Sequence, residues 1–330
     1  MLNRTFIIAE IACSHDGNIN TLKKIINNSF EAGADAIQLQ IWQLKYMMSP
    51  ENKNFKKLKK IEFNKSQWMD IIKFTRKNYP KLKIFVCLYE HNSIDFIKSL
   101  NIDGLKINSS DLTNPSVIKN ISKLNVPINL SVGASSINEI SYALKILKSH
   151  KKLTLMYGLQ SFPTKTEEVK LSKIKLLSKK FNLQIGYQDH CVSGSNEANW
   201  LISNSIGMGC SIIEIHVHLK NNKYGFDHES AHNKSQFKRL VKMIRIIDNS
   251  FGNISDKSFS KVELKYRNFQ KKSIVASKNL KKYHKLTEKD FLYLRKDKLG
   301  LQPFENSKIL NRKLLYDVKK YDLILKKLCN

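Results

Sequence analysis

The sequence predicts a (β/α)8 barrel, or TIM barrel, and three observations lead to that prediction. Eight short apolar runs are spread along the first 219 residues of the chain. The stretches between them repeat apolar residues every three or four positions, which is the pattern of amphipathic helices. Polar residues alternate with apolar ones inside several of the runs. Strands that alternate with helices form parallel sheets, and eight such units close into a barrel.

The predicted strands follow one another at spacings that leave room for a helix between most of them. Segments such as NTLKKIINNSFEAGA and SINEISYALKILKSH have the helical spacing of apolar residues. In chain order, the strands are predicted at 6–12, 36–42, 83–89, 104–108, 127–132, 153–159, 184–189 and 211–219.

The alternation inside the strands predicts a polar barrel lumen. Parallel strands covered on both faces usually read as almost continuous Val, Ile and Leu, so regular polar positions need an explanation. Because successive side chains of a strand point to opposite faces, the polar set should face the lumen while the apolar set faces the helices. Barrel enzymes hold their catalytic groups at the carboxyl ends of the strands, which predicts a site there. The predicted inward-facing residues are Glu10, Gln38, Gln40, Lys106, Asn108, Asn129, Ser131, Gln188, His190, Glu214, His216 and His218.

The segment EIHVHLKNNKYGFDHESAH, residues 214–232, holds four of the nine histidines. His216 and His218 lie on one side of the last strand, two residues and therefore roughly 6.5–7 Å apart. His190, at the end of the neighbouring strand, is the better partner for His216 in a shared site. Two neutral imidazoles with oxygen ligands suit Mn, Co, Zn or Fe(II). We predict a core or supporting position for His218 and a surface position for His232.

Length and composition place the chain among globular proteins. With 330 residues and 42% hydrophobic composition, it can bury the core of one large domain and one small domain. No run approaches the roughly 20 apolar residues of a membrane span, and the apolar stretch before Glu10 is too short for a signal peptide. We therefore expect a cytoplasmic protein. The five cysteines are scattered without a CxxC pair, which favours reduced, buried thiols over disulfides or a zinc site.

The formal net charge of +29 raises the possibility of a polyanionic partner such as nucleic acid. The lysines, however, are spread along the whole chain together with abundant Asn and Ile. No basic tract is interleaved with aromatic residues as a base-stacking surface requires. A biased genomic base composition would produce the same pattern, so we predict neither a nucleic-acid partner nor a membrane partner.

Eight segments, taken in order, resemble the sialic acid synthase family, the phosphoenolpyruvate-condensing synthases of nonulosonic acids. The first four, IIAEIACSHDGN, EAGADAIQLQ, KINSSDLTN and LSVGASSINEI, are similar to the family patterns IAEIGxNHNG, AGADAxKFQ, KIxSGExTN and LSTGMATxEEI. GYQDH, EIH and FDHESA are similar to GYSDH, EKH and PDHxxS. KKSIVASKNLKKYHKLTEKDFLYLR resembles the start of the family's small C-terminal antifreeze-like (SAF) domain. The resemblance implies a barrel at 1–250, a linker at 251–270 and an antifreeze-like domain at 271–330.

The resemblance also implies roles for individual residues. The ligands of a divalent metal, expected to be Mn with Mg or Co as alternatives, would be His190 and His216. Residues near the metal and the sugar would be Glu10, Asp227 and His228. Phosphoenolpyruvate or sugar would contact Gln38, Gln40, Lys106, Ser109 and Ser131, and Arg295 would enter from the small domain of the partner in a domain-swapped homodimer.

The implied reaction joins phosphoenolpyruvate to the open-chain aldehyde of a 2-acetamido or diacetamido hexose. The ion would act as a Lewis acid on the aldehyde, and the enol carbon of phosphoenolpyruvate would form the new bond. Water would then add at the carbon that bears phosphate, and inorganic phosphate would leave. Lys106 and backbone donors would supply part of the positive field around the donor.

Three positions depart from the family pattern. Gln38 stands where the family has Lys, Cys87 where Ser or Thr is usual, and Ser14 where Asn precedes His15. Replacing a cation by an amide typically weakens the binding of an anion by about a few kcal/mol. The alternative hypothesis is therefore a divergent barrel that binds sugar or metal without this condensation, or that uses another donor.

Overall fold

The computed structural model describes residues 4–219, 226–252 and 258–330. The chain divides into two compact units, Met1–Ile254 and Ser255–Asn330. The predicted linker, 251–270, spans this division and includes a helix at Lys261–Gln270.

The first unit is a closed barrel of eight parallel strands, which confirms the predicted fold. Each strand pairs in parallel with the next, and the eighth pairs with the first, from Phe6 opposite Ile212 to Glu10 opposite His216. All eight predicted strands are present with small differences at their ends. They are β1 Phe6–Glu10, β2 Ala36–Ile41, β3 Lys83–Leu88, β4 Gly104–Ile107, β5 Ile128–Ser131, β6 Leu153–Tyr157, β7 Gln184–Asp189 and β8 Ile212–His216.

Helices connect the strands and form the outer layer of the barrel. Asn64 and Ser136 begin two of them with capping boxes, in which the cap and the third helical residue satisfy each other's backbone N–H groups. Gly33, with φ 96°, ends the first helix in the left-handed region that glycine adopts without a steric penalty. The helices are α1 Ile19–Ala32, α2 Leu44–Met47, α3 Phe55–Lys59, α4 Lys65–Asn78, α5 Ile94–Lys98, α6 Pro115–Ile121, α7 Ile137–Ile146, α8 Ser172–Phe181, α9 Asn196–Gly207 and α10 Lys234–Phe251.

The core lies between the strands and the helices, as the alternation predicts. Ile37, Leu39 and Ile41 of β2 are buried in this layer, and the corresponding apolar residues of the other strands join them. Each such side chain contributes about 1.5–3 kcal/mol of transfer free energy. Because successive side chains of a strand point to opposite faces, the polar residues that alternate with these apolar ones face the lumen.

The amino-terminal end of the lumen is filled by apolar side chains. Ile8, Ala36 and Phe85 form a buried cluster there, with Phe6 and Ile212 packed against it. The ring of Phe85 occupies the space beside Gly104, where an added Cβ would lie 2.3 Å from Phe85 Cε1. Apolar packing therefore fills much of the lumen at this end, where Asn129 and Thr154 line a cavity beside Phe85. The ionisable groups of the lumen lie toward the carboxyl ends of the strands.

We expect Gly104→Ala to destabilise the barrel by about 1–3 kcal/mol, because the added methyl group overpacks the lumen against Phe85. Gly207→Ala is the matched control, since an added Cβ at the end of α9 would have no described atom within 4 Å. It should be neutral or slightly stabilising. Chemical denaturation of both variants measures the difference, and equal stabilities would contradict the packing of Phe85 against Gly104.

The second unit has its own small core. After α11 Lys261–Gln270, β9 Lys272–Ala276 and β10 Phe291–Arg295 pair antiparallel as a two-stranded sheet. Ile274 packs in a buried cluster with residues from the rest of the unit, among them Leu286, Ile309, Leu314 and Ile324. Arg295 is the last residue of β10 and is exposed.

No helix within the described ranges is long and apolar enough to cross a bilayer. The prediction of reduced, buried cysteines is confirmed, because all five are free and buried. Burial raises the pKa of the Cys87 thiol, which faces the lumen, to about 12. This thiol is therefore protonated at neutral pH and a poor nucleophile.

Candidate active site

Buried polar side chains gather in the lumen of the barrel near the carboxyl ends of the strands. Burial of ionisable groups is expensive unless each one has a partner. The following lumen residues are at most 4% exposed: Glu10, Gln38, Lys106, Asn129, Ser131, Gln188, His190, Glu214 and His216.

Lys106 and Glu214 form a buried ion pair across the barrel. Lys106 Nζ donates to Glu214 Oε1 at 2.5 Å. Gln188 Nε2 donates to the same oxygen at 2.9 Å, and Ser131 Oγ donates to Gln188 Oε1 at 2.9 Å. Burial alone would raise the pKa of Glu214, but Lys106 outweighs it and holds this pKa below its ordinary value. Burial alone would lower the pKa of Lys106, but the negative charge of Glu214 outweighs burial and raises the pKa of Lys106 above its ordinary value. The pair is therefore ionised at neutral pH.

Glu10, at the end of β1, is held by amide groups. Its Oε1 accepts from the backbone N–H of Ala12 at 2.7 Å and from Gln40 Nε2 at 3.2 Å, and its Oε2 accepts from Gln38 Nε2. Burial raises the pKa of Glu10 to about 7, Lys106 opposes this shift and Glu214 adds to it. A carboxyl group with this pKa can both hold and release a proton at neutral pH.

His190 and His216 lie side by side at the ends of β7 and β8, as predicted. Their ring centroids are 5.1 Å apart and their planes are nearly perpendicular. His190 Nδ1 contacts the carbonyl oxygen of Leu159, which assigns the proton to Nδ1 and leaves the lone pair on Nε2. Burial lowers the pKa of His190 to about 4 and that of His216 well below its ordinary value. Both imidazoles are therefore neutral at pH 7, which is the form that binds metals.

These histidines, with Glu214, fit a divalent ion. One ligand atom from each of His190, Glu214 and His216 lies within 4.8 Å of the others. Within this cluster, Nδ1 of His216 and Oε2 of Glu214 are buried and have no hydrogen-bond partner among the described residues. The alternation of β8 predicted a lumen position for Glu214 but no role. The sequence does hold a signal for a ligand role: Glu214 lies two residues before His216 and therefore on the same face of the strand.

The segment after β8 places Asp227 beside His216. Asp227 Oδ2 lies 3.8 Å from His216 Nδ1, and burial raises the pKa of Asp227 to about 6. His228 is exposed, and its ring packs edge-on against His218, with 4.8 Å between the centroids. The structure thus brings Asp227 to the histidine pair, and it places His228 against His218 rather than beside His190.

The predicted surface position of His232 is wrong. Its side chain is 1% exposed, and its Nε2 accepts from the backbone N–H of Gly194 at 3.2 Å. The backbone N–H of His232 donates to the backbone carbonyl of His216 at 2.7 Å. This bond extends the pairing of β8 by an isolated bridge between Val217 and His232. Burial of the chain along this bridge, rather than a ligand role, accounts for His232.

The remaining predicted site residues are dispersed. Gln40 is half-buried and contacts Glu10. Ser109 begins a short 3-10 helix directly after β4, with its Oγ 3.4 Å from Asn108 Oδ1. Arg295 belongs to the second unit. The predicted contacts of these residues with substrate stay predictions.

A closed (β/α)8 barrel with buried ionisable groups at the carboxyl ends of its strands is the arrangement of barrel enzymes. The chain belongs to the NeuB family, whose sequence model matches residues 25–256.

Curated relatives match nearly the whole chain at low identity. An uncharacterised protein of Methanocaldococcus jannaschii is 29% identical, covering 97% of this chain and 93% of the relative. The N,N'-diacetyllegionaminic acid synthase of Campylobacter jejuni is 28% identical, covering 85% and 87%. A spore coat polysaccharide biosynthesis protein E from Chromobacterium violaceum superposes with a TM-score of 0.85 over 99% of both chains at 20% identity, which shows the shared fold.

Proposed function

We propose that this protein condenses phosphoenolpyruvate with a 2-acetamido or diacetamido hexose to give a nonulosonic acid and inorganic phosphate. The observation that supports this most is the pair of neutral imidazoles, His190 and His216, at the carboxyl ends of the strands, within the electrostatic field of the buried Lys106. The relative that makes N,N'-diacetyllegionaminic acid supports a nonulosonic acid as the product.

His190 and His216 would hold a divalent ion, most simply Mn, with Mg or Co as alternatives. The ion would supply Lewis-acid polarisation of the aldehyde oxygen of the sugar. Glu10 lies opposite His216 on the neighbouring strand and has a pKa of about 7, so it would accept or donate a proton near this position. Asp227, beside His216, would orient hydroxyl groups of the sugar. The neutral state of the histidines matches a ligand role, since protonated imidazoles cannot bind the ion.

Lys106 would bind an anionic group of phosphoenolpyruvate, with Ser109 as a hydrogen-bond donor. Ser131 would also contact the donor, and its hydroxyl would then turn away from Gln188. In the proposed reaction, the terminal methylene carbon of phosphoenolpyruvate attacks the aldehyde carbon while the aldehyde oxygen takes a proton. Water then adds, with loss of a proton, to the neighbouring carbon that bears phosphate. The bond between this carbon and the phosphate oxygen breaks, inorganic phosphate leaves with a proton, and a 2-oxo acid remains. A buried lysine stabilises the negative charge of such a donor more strongly than an exposed one would.

A second candidate is a barrel that binds sugar or metal without this condensation, or that uses a less anionic donor. Gln38 favours it, because this position offers a neutral amide that donates to Glu10 rather than a cation. Lys106 is the one buried lysine or arginine in the part of the chain that the structure describes. The two candidates therefore differ in whether a highly charged donor is turned over.

We further propose that the second unit is the antifreeze-like domain and that the protein is a domain-swapped homodimer. Exposed Arg295, at the end of β10, would then contribute its planar guanidinium to an acetamido oxygen or carboxylate of the substrate. We also propose that the enzyme acts in the cytoplasm, where phosphoenolpyruvate is made.

The deciding assay measures phosphate release from phosphoenolpyruvate with a panel of 2-acetamido and 2,4-diacetamido hexoses, after metal removal and again with Mn added. We expect release that requires both one of the sugars and the metal. Release with no sugar of the panel, under Mn, Mg or Co, would contradict the condensation. Sugar binding without release would favour the second candidate.

We expect Gln38→Lys to lower the Michaelis constant for phosphoenolpyruvate roughly tenfold, because a cation at this position restores charge to the donor pocket. Gln38→Met is the matched control, since it removes the amide without adding charge and should bring no such gain. An unchanged or higher Michaelis constant in Gln38→Lys would indicate that another residue already supplies the charge or that the donor differs.

A further inference from the structure

Glu214 lies between the lysine and the histidine pair, and its two oxygens have different environments. Oε1 accepts from Lys106 Nζ at 2.5 Å and from Gln188 Nε2 at 2.9 Å. Oε2 is buried and has no hydrogen-bond partner within the described ranges. A buried carboxylate oxygen without a partner is costly, so this atom requires an explanation.

Glu214, which carries the unpartnered oxygen, belongs to the same cluster as the imidazoles. His190, Glu214 and His216 each offer one ligand atom, and the three atoms lie within 4.8 Å of one another. The side chain of Glu214 is fully buried, which fixes it beside the histidines rather than in solvent. Two imidazoles and one carboxylate form a ligand set that suits first-row divalent ions and leaves positions open for substrate.

The charges of the lumen add a second consideration. Lys106 faces Glu214 directly, and Glu10 lies in the same field, since both Lys106 and Glu214 shift its pKa. As long as Glu214 neutralises Lys106, an anionic donor meets no net positive charge in the described part of the lumen. A divalent ion that takes up Oε2 would draw the charge of the carboxylate away from Lys106.

We propose that Glu214 is a third protein ligand of the divalent ion and that its carboxylate is shared between the ion and Lys106. Binding of the ion then frees Lys106 for the anionic donor, so ion and donor bind cooperatively. By linkage, each strengthens the binding of the other by the same factor. The role of Glu214 as a ligand depends only on the metal site, whereas the coupling rests on the proposed function, because it requires an anionic donor at Lys106.

The first test measures metal binding by the full chain without substrate. Mn²⁺ titration calorimetry and the visible spectrum of bound Co²⁺ are compared for wild type, Glu214→Gln and Glu214→Asp. We expect both variants to bind either ion at least about 10- to 100-fold more weakly, the loss that is typical when a group supporting a metal ligand is removed. Both should also change the Co²⁺ spectrum, because the set of ligand atoms changes. Glu214→Asp separates ligation from charge, because it keeps the negative charge while drawing the oxygens back by one methylene.

Glu90→Gln is the matched control. Glu90, which follows β3, is also a buried carboxylate, but both of its oxygens have partners. It accepts from the backbone N–H groups of Ser93 and Gln43. It should leave metal affinity unchanged. Wild-type affinity and an unaltered Co²⁺ spectrum in both Glu214 variants, with binding lost in His190→Ala, would overturn the ligand role of Glu214 and leave the proposed function intact.

The second test measures phosphoenolpyruvate binding with and without Mn²⁺. We expect the metal to tighten donor binding in wild type about 5- to 150-fold, the usual range of such coupling. Metal-free Glu214→Gln should bind the donor more tightly than metal-free wild type, because Lys106 is then unpaired. Equal affinities of these two metal-free proteins would overturn the coupling. No donor binding by any form would refute the donor and the coupling together, while the metal titrations still decide the role of Glu214.

Discussion

Changing either His190 or His216 to Ala should reduce metal-dependent phosphate release by about a thousand-fold or more, because Lewis-acid activation of the aldehyde contributes several kcal/mol. The expectation follows from the geometry of the pair. The two rings lie 5.1 Å apart, and a carbonyl contact orients one of them so that its Nε2 lone pair is free. Loss of either ring would remove a proposed ligand that the other ring cannot replace.

The same variants should lose affinity for Mn²⁺ in calorimetry without substrate, which separates loss of the metal from misfolding when circular dichroism is unchanged. His91→Ala is the matched control, because His91 is exposed in a short 3-10 helix after β3. Its activity should equal that of wild type. His232→Ala is unsuitable as a control, since His232 is buried and its replacement should instead lower stability. Full activity of His190→Ala would refute the metal assignment.

The fold could be predicted because its determinants are local. Each strand is short and apolar, the connecting segments have helical periodicity, and alternation within a strand fixes which side chains face the lumen. The polar lumen of Gln38, Lys106, Glu214 and His216 followed directly from period 2. The neighbouring positions of His190 and His216 followed from the order of adjacent strands in a barrel.

What could not be predicted depends on contacts between distant parts of the chain. Lys106 and Glu214 are separated by 108 positions, and their pairing depends on the stagger of β4 and β8 across the lumen. The position of His232 was missed for the same reason. Its polar neighbours suggest a surface loop, but the loop returns to Val217 and buries the side chain in an isolated bridge. No local pattern encodes that return.

The second large effect concerns Arg295, which we propose enters the barrel of a partner subunit. Arg295→Ala and His216→Ala should each be nearly inactive as homodimers. A heterodimer of the two, purified through two different tags, should recover roughly half of the wild-type activity per dimer, because the twofold arrangement gives one of its two sites both intact groups. Phosphate release from phosphoenolpyruvate and the acceptor sugar measures the recovery.

The pairing of variants distinguishes the swapped arrangement from one in which each small domain serves its own barrel. If Arg295 acted within its own subunit, every subunit of the heterodimer would keep one defect and no activity would return. A heterodimer of His190→Ala with His216→Ala is the matched control, because both residues belong to the same barrel site and each barrel then lacks one of them. It should stay inactive under either arrangement.

A small domain gains stability from docking, and docking onto a partner barrel would make the dimer necessary for catalysis as well as for stability. Absence of recovery in the Arg295→Ala and His216→Ala heterodimer, once its assembly is verified, would rule out the swapped site.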